Sequence, residues 1–95
     1  SWIAKSNAES GIGYTDIQIM VPSEKIGCVI EVKYAEQGRF DSACREAMKQ
    51  IEDNGYADAI RQEGMQTILK YGIACYQKTC RVVSGIEGSR GEGDE

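Results

Sequence analysis

The sequence predicts a single α/β (α+β) domain on a mixed central sheet, in which a β-hairpin leads into a crossover helix. Three observations carry that expectation. Two segments, residues 15–21 and 26–34, alternate polar and apolar residues and flank the turn-forming run Pro22-Ser23-Glu24-Lys25. From Phe40 onward, Phe40, Ala43, Cys44, Ala47, Met48 and Ile51 recur at helical spacing. Beyond them, residues 67–76 are aliphatic and aromatic enough for a buried strand, and Gln77-Lys78 reads as a two-residue turn into another strand.

In chain order, residues 1–8 read as a short strand, and the glycines of Glu9-Ser10-Gly11-Ile12-Gly13 permit a tight loop. The hairpin follows. Ala35-Glu36-Gln37-Gly38 breaks the chain before the Phe40 helix, for which Asp41 or Ser42 supplies the N-cap and Asn54-Gly55 the stop. Residues 56–62 form a second, short helix ending near Gly64. Residues 79–83 make the last strand, and the helix between hairpin and later strand allows a parallel pairing in the sheet. The domain is expected to span residues 1–84, with residues 85–95 a disordered, acidic, glycine-rich tail.

At 95 residues and 41% hydrophobic content the chain holds one small core. No stretch is long enough to span a bilayer and no secretory leader precedes the domain, so the expected location is cytoplasmic. The start at Ser1-Trp2-Ile3, apolar and without methionine, suggests a piece of a longer protein whose N-terminal elements are absent. An exposed patch around Trp2 would favour a homo-oligomer. The net charge of −4 argues against gripping nucleic acid by bulk electrostatics. Cys28, Cys44, Cys75 and Cys80 lack C-x-x-C spacing and histidine is absent, which argues against zinc and favours four reduced thiols. Lys70, Lys78 and Arg81 read as scattered surface charges, and Tyr71 and Tyr76 as packing residues.

The hairpin carries the chemistry. A turn centred on Ser23-Glu24 pairs Asp16 with Glu31 and Ile17 with Ile30, which makes two carboxylates cross-strand neighbours. Period-2 geometry puts Asp16, Gln18, Glu31 and Lys33 on one face, read as a site. It puts Ile17, Ile19, Val21, Ile26, Cys28, Ile30 and Val32 on the other, read as core. Opposed carboxylates cost roughly 0.2–1 kcal/mol, and one lysine neutralises only part of their charge. A hard dication, which prefers carboxylate, carbonyl and water oxygens, would satisfy the rest.

Asp16, Glu31 and Lys33, followed by a helix bearing Gln50, resemble the PD-(D/E)XK nuclease superfamily. More closely, Lys5-Ser6-Asn7-Ala8-Glu9-Ser10-Gly11, Gly13-Tyr14-Thr15-Asp16-Ile17, Ile30-Glu31-Val32-Lys33, Ala47-Met48-Lys49-Gln50-Ile51 with Tyr56, and Tyr71-Gly72-Ile73-Ala74 are similar to the nuclease-like domain found C-terminal to AAA-ATPase-like domains in many bacterial proteins. The resemblance implies a restriction-endonuclease-like core lacking its usual N-terminal helix. It also implies Mg²⁺ or Mn²⁺ held by Asp16, Glu31 and the Val32 carbonyl, Lys33 beside the attacking water, and Gln50 lining the site. Glu9 matches the upstream acidic residue used by some members. The implied partners are nucleic acid, DNA before RNA, and an ATPase-like domain in the parent chain. Relatives in the closer group tend to carry an arginine where Gly13-Tyr14-Thr15 stands in this chain.

Three readings follow. The first is a metal-dependent phosphodiester hydrolase. The second keeps the nuclease fold as a catalytically silent binding or regulatory module of an ATPase-like protein. The third treats Asp16, Glu31 and Lys33 as the solvated face of a small acidic interaction domain, since Glu-Lys neighbours are ordinary on exposed hairpins.

Overall fold

The computed structural model describes residues 2–9 and 14–88. Strands β1 (Ile3–Glu9), β2 (Tyr14–Val21) and β3 (Ile26–Tyr34) lead to helices α1 (Phe40–Asp53) and α2 (Tyr56–Gln62), then to β4 (Thr67–Tyr76) and β5 (Thr79–Glu87). The five strands form one sheet in chain order. Its pairings are antiparallel except that β3 and β4 run parallel, as the intervening helices require. Among the described residues, no helix is long and apolar enough to cross a membrane.

The β2–β3 turn is a short 3-10 segment, Pro22–Glu24, closed by Lys25 at φ 57°. Its register sets Asp16 against Glu31 and Ile17 against Ile30, as the symmetric hairpin predicts. Helix α1 is 14 residues long, about 21 Å, and presents Ala43, Cys44, Ala47 and Ile51 to the sheet. It stops at Asn54-Gly55, where Gly55 takes φ 67°, a conformation that costs glycine little. Its start differs from the expected cap: Arg39 is the N-cap residue and makes no side-chain capping hydrogen bond. Asp41 lies inside the helix and accepts from Arg81 Nη1 at 2.8 Å, while the Arg81 guanidinium stands over the Phe40 ring.

The two faces of the hairpin are reversed from the expected core and site. Gly27, Val29, Glu31 and Lys33 are buried along β3, whereas Cys28, Ile30 and Val32 are half-buried. Both described helices therefore lie over the polar row. The larger cluster joins Val29 and Ile68 of the sheet to Ile51, Ala57, Ile60 and Met65. A smaller one joins Ala35 and Ala74 to Ala43 and Cys44. Period 2 fixes which residues share a face but not which face receives the helices, and here the choice follows from size. Opposite Glu31 and Lys33 on β4 stand Gly72 and Ala74. A Cβ on Gly72 would meet Ala47 Cβ at 3.1 Å and the Cys44 carbonyl at 3.2 Å. Small residues on both sides thus bring α1 close to the sheet beside the long polar side chains.

The last strand runs past the expected boundary at Ser84, so residues 85–87 belong to the sheet and not to a disordered tail. The reason is an ion-pair cluster around Lys70, expected at the surface but in fact buried under α1. Lys70 pairs with Glu52 and Glu87, and Arg61 Nη2 donates to Glu87 at 2.9 Å. The hydrogen bonds from Lys70 and Arg61 hold the Glu87 carboxyl below the usual carboxylate range. Burial alone would lower the Lys70 amine, but its bonds to Glu52 and Glu87 prevail and raise it. Residues 89–95 of the expected tail, and residues 10–13 of the expected loop, lie outside the described residues.

Candidate functional site

Asp16 of β2 and Glu31 and Lys33 of β3 sit side by side beneath the helices, at 1%, 0% and 3% exposure. Each is carried by a strand paired on both sides: Asp16 lies between Asn7 and Glu31, and Lys33 opposes Ala74. Such backbone leaves little freedom to adjust. Burying one unpaired charge costs several kcal/mol, so ionisable groups survive inside a domain only when other polar groups or ions answer them.

The helices supply part of that answer. Lys33 Nζ donates to Gln50 Oε1 at 2.8 Å, which ties the amine to the half-buried side of α1. Tyr56, the first residue of α2, donates its hydroxyl to Asp16 Oδ2 at 2.9 Å. Asn54, in the link between helices, donates to the same hydroxyl at 3.0 Å. Burial, with the hydrogen bond and negative charge of Asp16 behind it, pushes Tyr56 up to about 12, so its hydroxyl stays a donor at neutral pH. The chain Asn54 to Tyr56 to Asp16 fixes one carboxylate oxygen from the helix layer.

Tyr56 belongs to one of the matched motifs, yet spacing assigns it no role. Only the tertiary approach of α2 to β2 brings it to Asp16. Its loss should be felt through the carboxylate. If a dication is held at Asp16, Tyr56→Phe, which keeps the ring but removes the hydrogen bond to that carboxylate, is expected to weaken its binding about 10- to 100-fold. Isothermal titration with Mn²⁺ reads this directly, while an unchanged circular dichroism spectrum shows that the fold is kept.

The other predicted residues divide. Val32 stands opposite Thr15 and Ile73, with its side chain on the face away from the helices. Gln18 lies on the helix side, in a hollow with Ala59 and Ile60 of α2, well along the strand from Lys33. Glu9 closes β1 opposite Tyr14, and its side chain lies outside the described residues. A cleft of about 290 Å³ opens beside the amine, lined by Lys33, Glu46, Lys49, Gln50, Asp53 and Asn54. Its charges are balanced, and Lys49 is engaged with Asp53 at 2.6 Å.

The donor set suits a hard cation. Two carboxylates and a strand's main-chain oxygens offer oxygen alone, and histidine is absent from the chain. Among the described residues there is no cluster of three or more His, Cys, Asp or Glu. Two carboxylates match an ion such as Mg²⁺, which keeps several waters and is rarely caged by protein alone. They do not match the sulfur and nitrogen preference of zinc.

No match to the chain is found among the curated proteins or among the solved structures. The profile of the PD-(D/E)XK nuclease superfamily matches residues 1–85, which take in the strands that carry Asp16, Glu31 and Lys33, both helices and all of β5 but its last two residues. With that match over nearly the whole chain, and with a five-stranded mixed sheet bearing two helices, the protein belongs to the PD-(D/E)XK nuclease superfamily and has a restriction-endonuclease-like α+β fold.

Proposed function

We propose that this domain is a metal-dependent phosphodiester hydrolase acting on nucleic acid, DNA before RNA. The observation that carries the reading is the burial of Asp16, Glu31 and Lys33 together under α1, where aliphatic side chains would make a more stable layer. Folds depart from local stability rules in this way chiefly at functional sites.

Asp16 and Glu31, with the Val32 carbonyl, are the residues that would hold Mg²⁺ or Mn²⁺. When bound, the ion supplies Lewis-acid stabilisation of charge developing on the phosphate and makes water more acidic. The chain's own residues do the rest. Lys33 positions the attacking water and takes up or passes on its proton, with its amine aimed by Gln50. Tyr56 holds Asp16 in one orientation. Hydrolysis then breaks the bond from phosphorus to the leaving oxygen.

The balanced charge of the cleft beside Lys33 favours a second reading, in which the domain binds without cutting as a regulatory module beside an ATPase-like domain. Metal and cleavage separate the two. The hydrolase is expected to melt several degrees higher with millimolar Mg²⁺ or Mn²⁺, to nick supercoiled plasmid only with the ion, and to lose both responses in Asp16→Ala. A metal-induced rise without nicking supports the binding module. Neither response would leave an interaction domain as the remaining reading, but one in which Asp16, Glu31 and Lys33 are buried and do not form the solvated face expected of it.

A further inference from the structure

We propose that Cys75 and Cys80 form a reversible dithiol/disulfide pair, a redox modification site at the end of the β4–β5 hairpin whose reactant is a low-molecular-weight disulfide. Nothing in this inference depends on the nuclease reading.

The two cysteines oppose each other in the β4–β5 register, one pair in from the closing residues Tyr76 and Thr79. Their sulfur atoms lie 2.8 Å apart. In a two-residue hairpin the closing pair exchanges both backbone hydrogen bonds, and antiparallel pairs alternate, so the cysteines form a non-hydrogen-bonded pair. Such pairs bring Cα atoms to about 4.5 Å and side chains to their closest approach, within the roughly 4.4–6.8 Å that a disulfide spans. The register and the 2.8 Å approach of the two sulfur atoms thus suit a disulfide.

Access differs between the four thiols in a way that selects this pair. Cys80 is exposed and Cys75 half-buried, whereas Cys44 is buried against the Arg81 carbonyl on the helix side. Cys28 lies on β3 opposite Leu69, several residues along the sheet from Cys75. An exposed Cys80 contributes little as a small hydrophobe, the role that accounts for Cys44. The hydrogen bond with Cys80, helped by burial, pushes the Cys75 thiol up to about 11. Cys80, the exposed sulfur of the two, is the one an incoming disulfide meets.

The exchange balances without a further reagent. The Cys80 thiolate attacks one sulfur of the small disulfide, forming a mixed disulfide and releasing the first small thiolate. Cys75 then loses its proton, attacks the Cys80 sulfur and expels the second small thiolate. The two cysteines give up two electrons and two protons. The small disulfide takes them and leaves as two thiols. Closing the bond joins β5 to the end of β4 that runs beside Lys33 through Ala74.

The full chain, reduced and then held in mixtures of reduced and oxidised glutathione, tests the proposal. Intact mass is expected to fall by about two hydrogens while two of the four thiols disappear together, with non-reducing peptide mapping linking Cys75 to Cys80. Excess reduced glutathione should reverse the change, and the oxidised form should melt several degrees higher. Cys80→Ser, at an exposed position, keeps the fold and should show no intrachain link. A lasting glutathione adduct in the wild type, a disulfide-linked dimer, or an equal thiol loss in Cys80→Ser would overturn it.

Discussion

Lys33→Ala is expected to lower Mg²⁺-dependent plasmid cleavage by about 10²- to 10⁴-fold, the usual contribution of a positioned proton-transfer group. The stability of the same variant should separate the role of the amine from that of the carboxylates. Lys33 is the cation adjacent to Asp16 and Glu31 on the buried row, so its removal deepens the negative charge there and the metal-free protein should melt lower. A dication then becomes the stronger remedy. The metal-induced rise in melting temperature should persist in Lys33→Ala and exceed that of the wild type, measured by thermal shift across a Mn²⁺ titration. Lys33→Met keeps the side-chain volume and should reproduce the catalytic loss with a smaller fall in metal-free stability. Unaltered cleavage in both variants would remove Lys33 from the reaction and leave it a buried counter-charge.

Much of this arrangement is legible in the chain before any coordinates. The β2–β3 register follows from one turn and two alternating strands, and it alone sets Asp16 against Glu31. Helix α1 follows from its apolar spacing and its Asn54-Gly55 stop, and α2 from residues 56–62, which read as a short helix ending near Gly64. What spacing cannot supply is the third dimension. Alternation separates Ile17 and Ile30 from Asp16 and Glu31 but does not say that the helices cover the charged row. The clue lies elsewhere in the sequence, in Gly72 and Ala74 on β4 and Ala43, Cys44 and Ala47 on α1, small residues that allow a helix to close over long polar side chains. Lys70 misleads for the same reason. A lone lysine in an apolar strand reads as surface until Glu52 and Glu87, distant in sequence, are seen to meet it. Glu87 in turn extends β5 into a segment whose composition is that of a tail. Tyr56 acquires its contact with Asp16 only through the angle at which α2 leaves Gly55.

Glu31→Gln is expected to move stability and function in opposite directions. Glu31 is fully buried and faces Asp16 across the pair, and like charges so placed repel. The amide keeps the shape of the side chain and removes one formal negative charge from beside Asp16. Relief of about 0.2–1 kcal/mol raises the metal-free melting temperature by roughly 1–8 °C for a domain of this size. The same change takes away one of two anionic oxygen donors. The metal-induced rise should therefore vanish, and plasmid cleavage with it, so that Glu31→Gln melts above the wild type without Mn²⁺ and loses that advantage at saturating Mn²⁺. Stabilisation that comes at the expense of activity is the signature of a strained functional site. A purely structural Glu31 predicts the reverse, because a buried carboxylate kept for its interactions loses them as an amide and the variant melts lower in the absence of any ion. The crossing of two melting curves along a metal titration thus distinguishes a carboxylate retained for an ion from one retained for the fold, and it does so whether or not the right nucleic-acid substrate has been found.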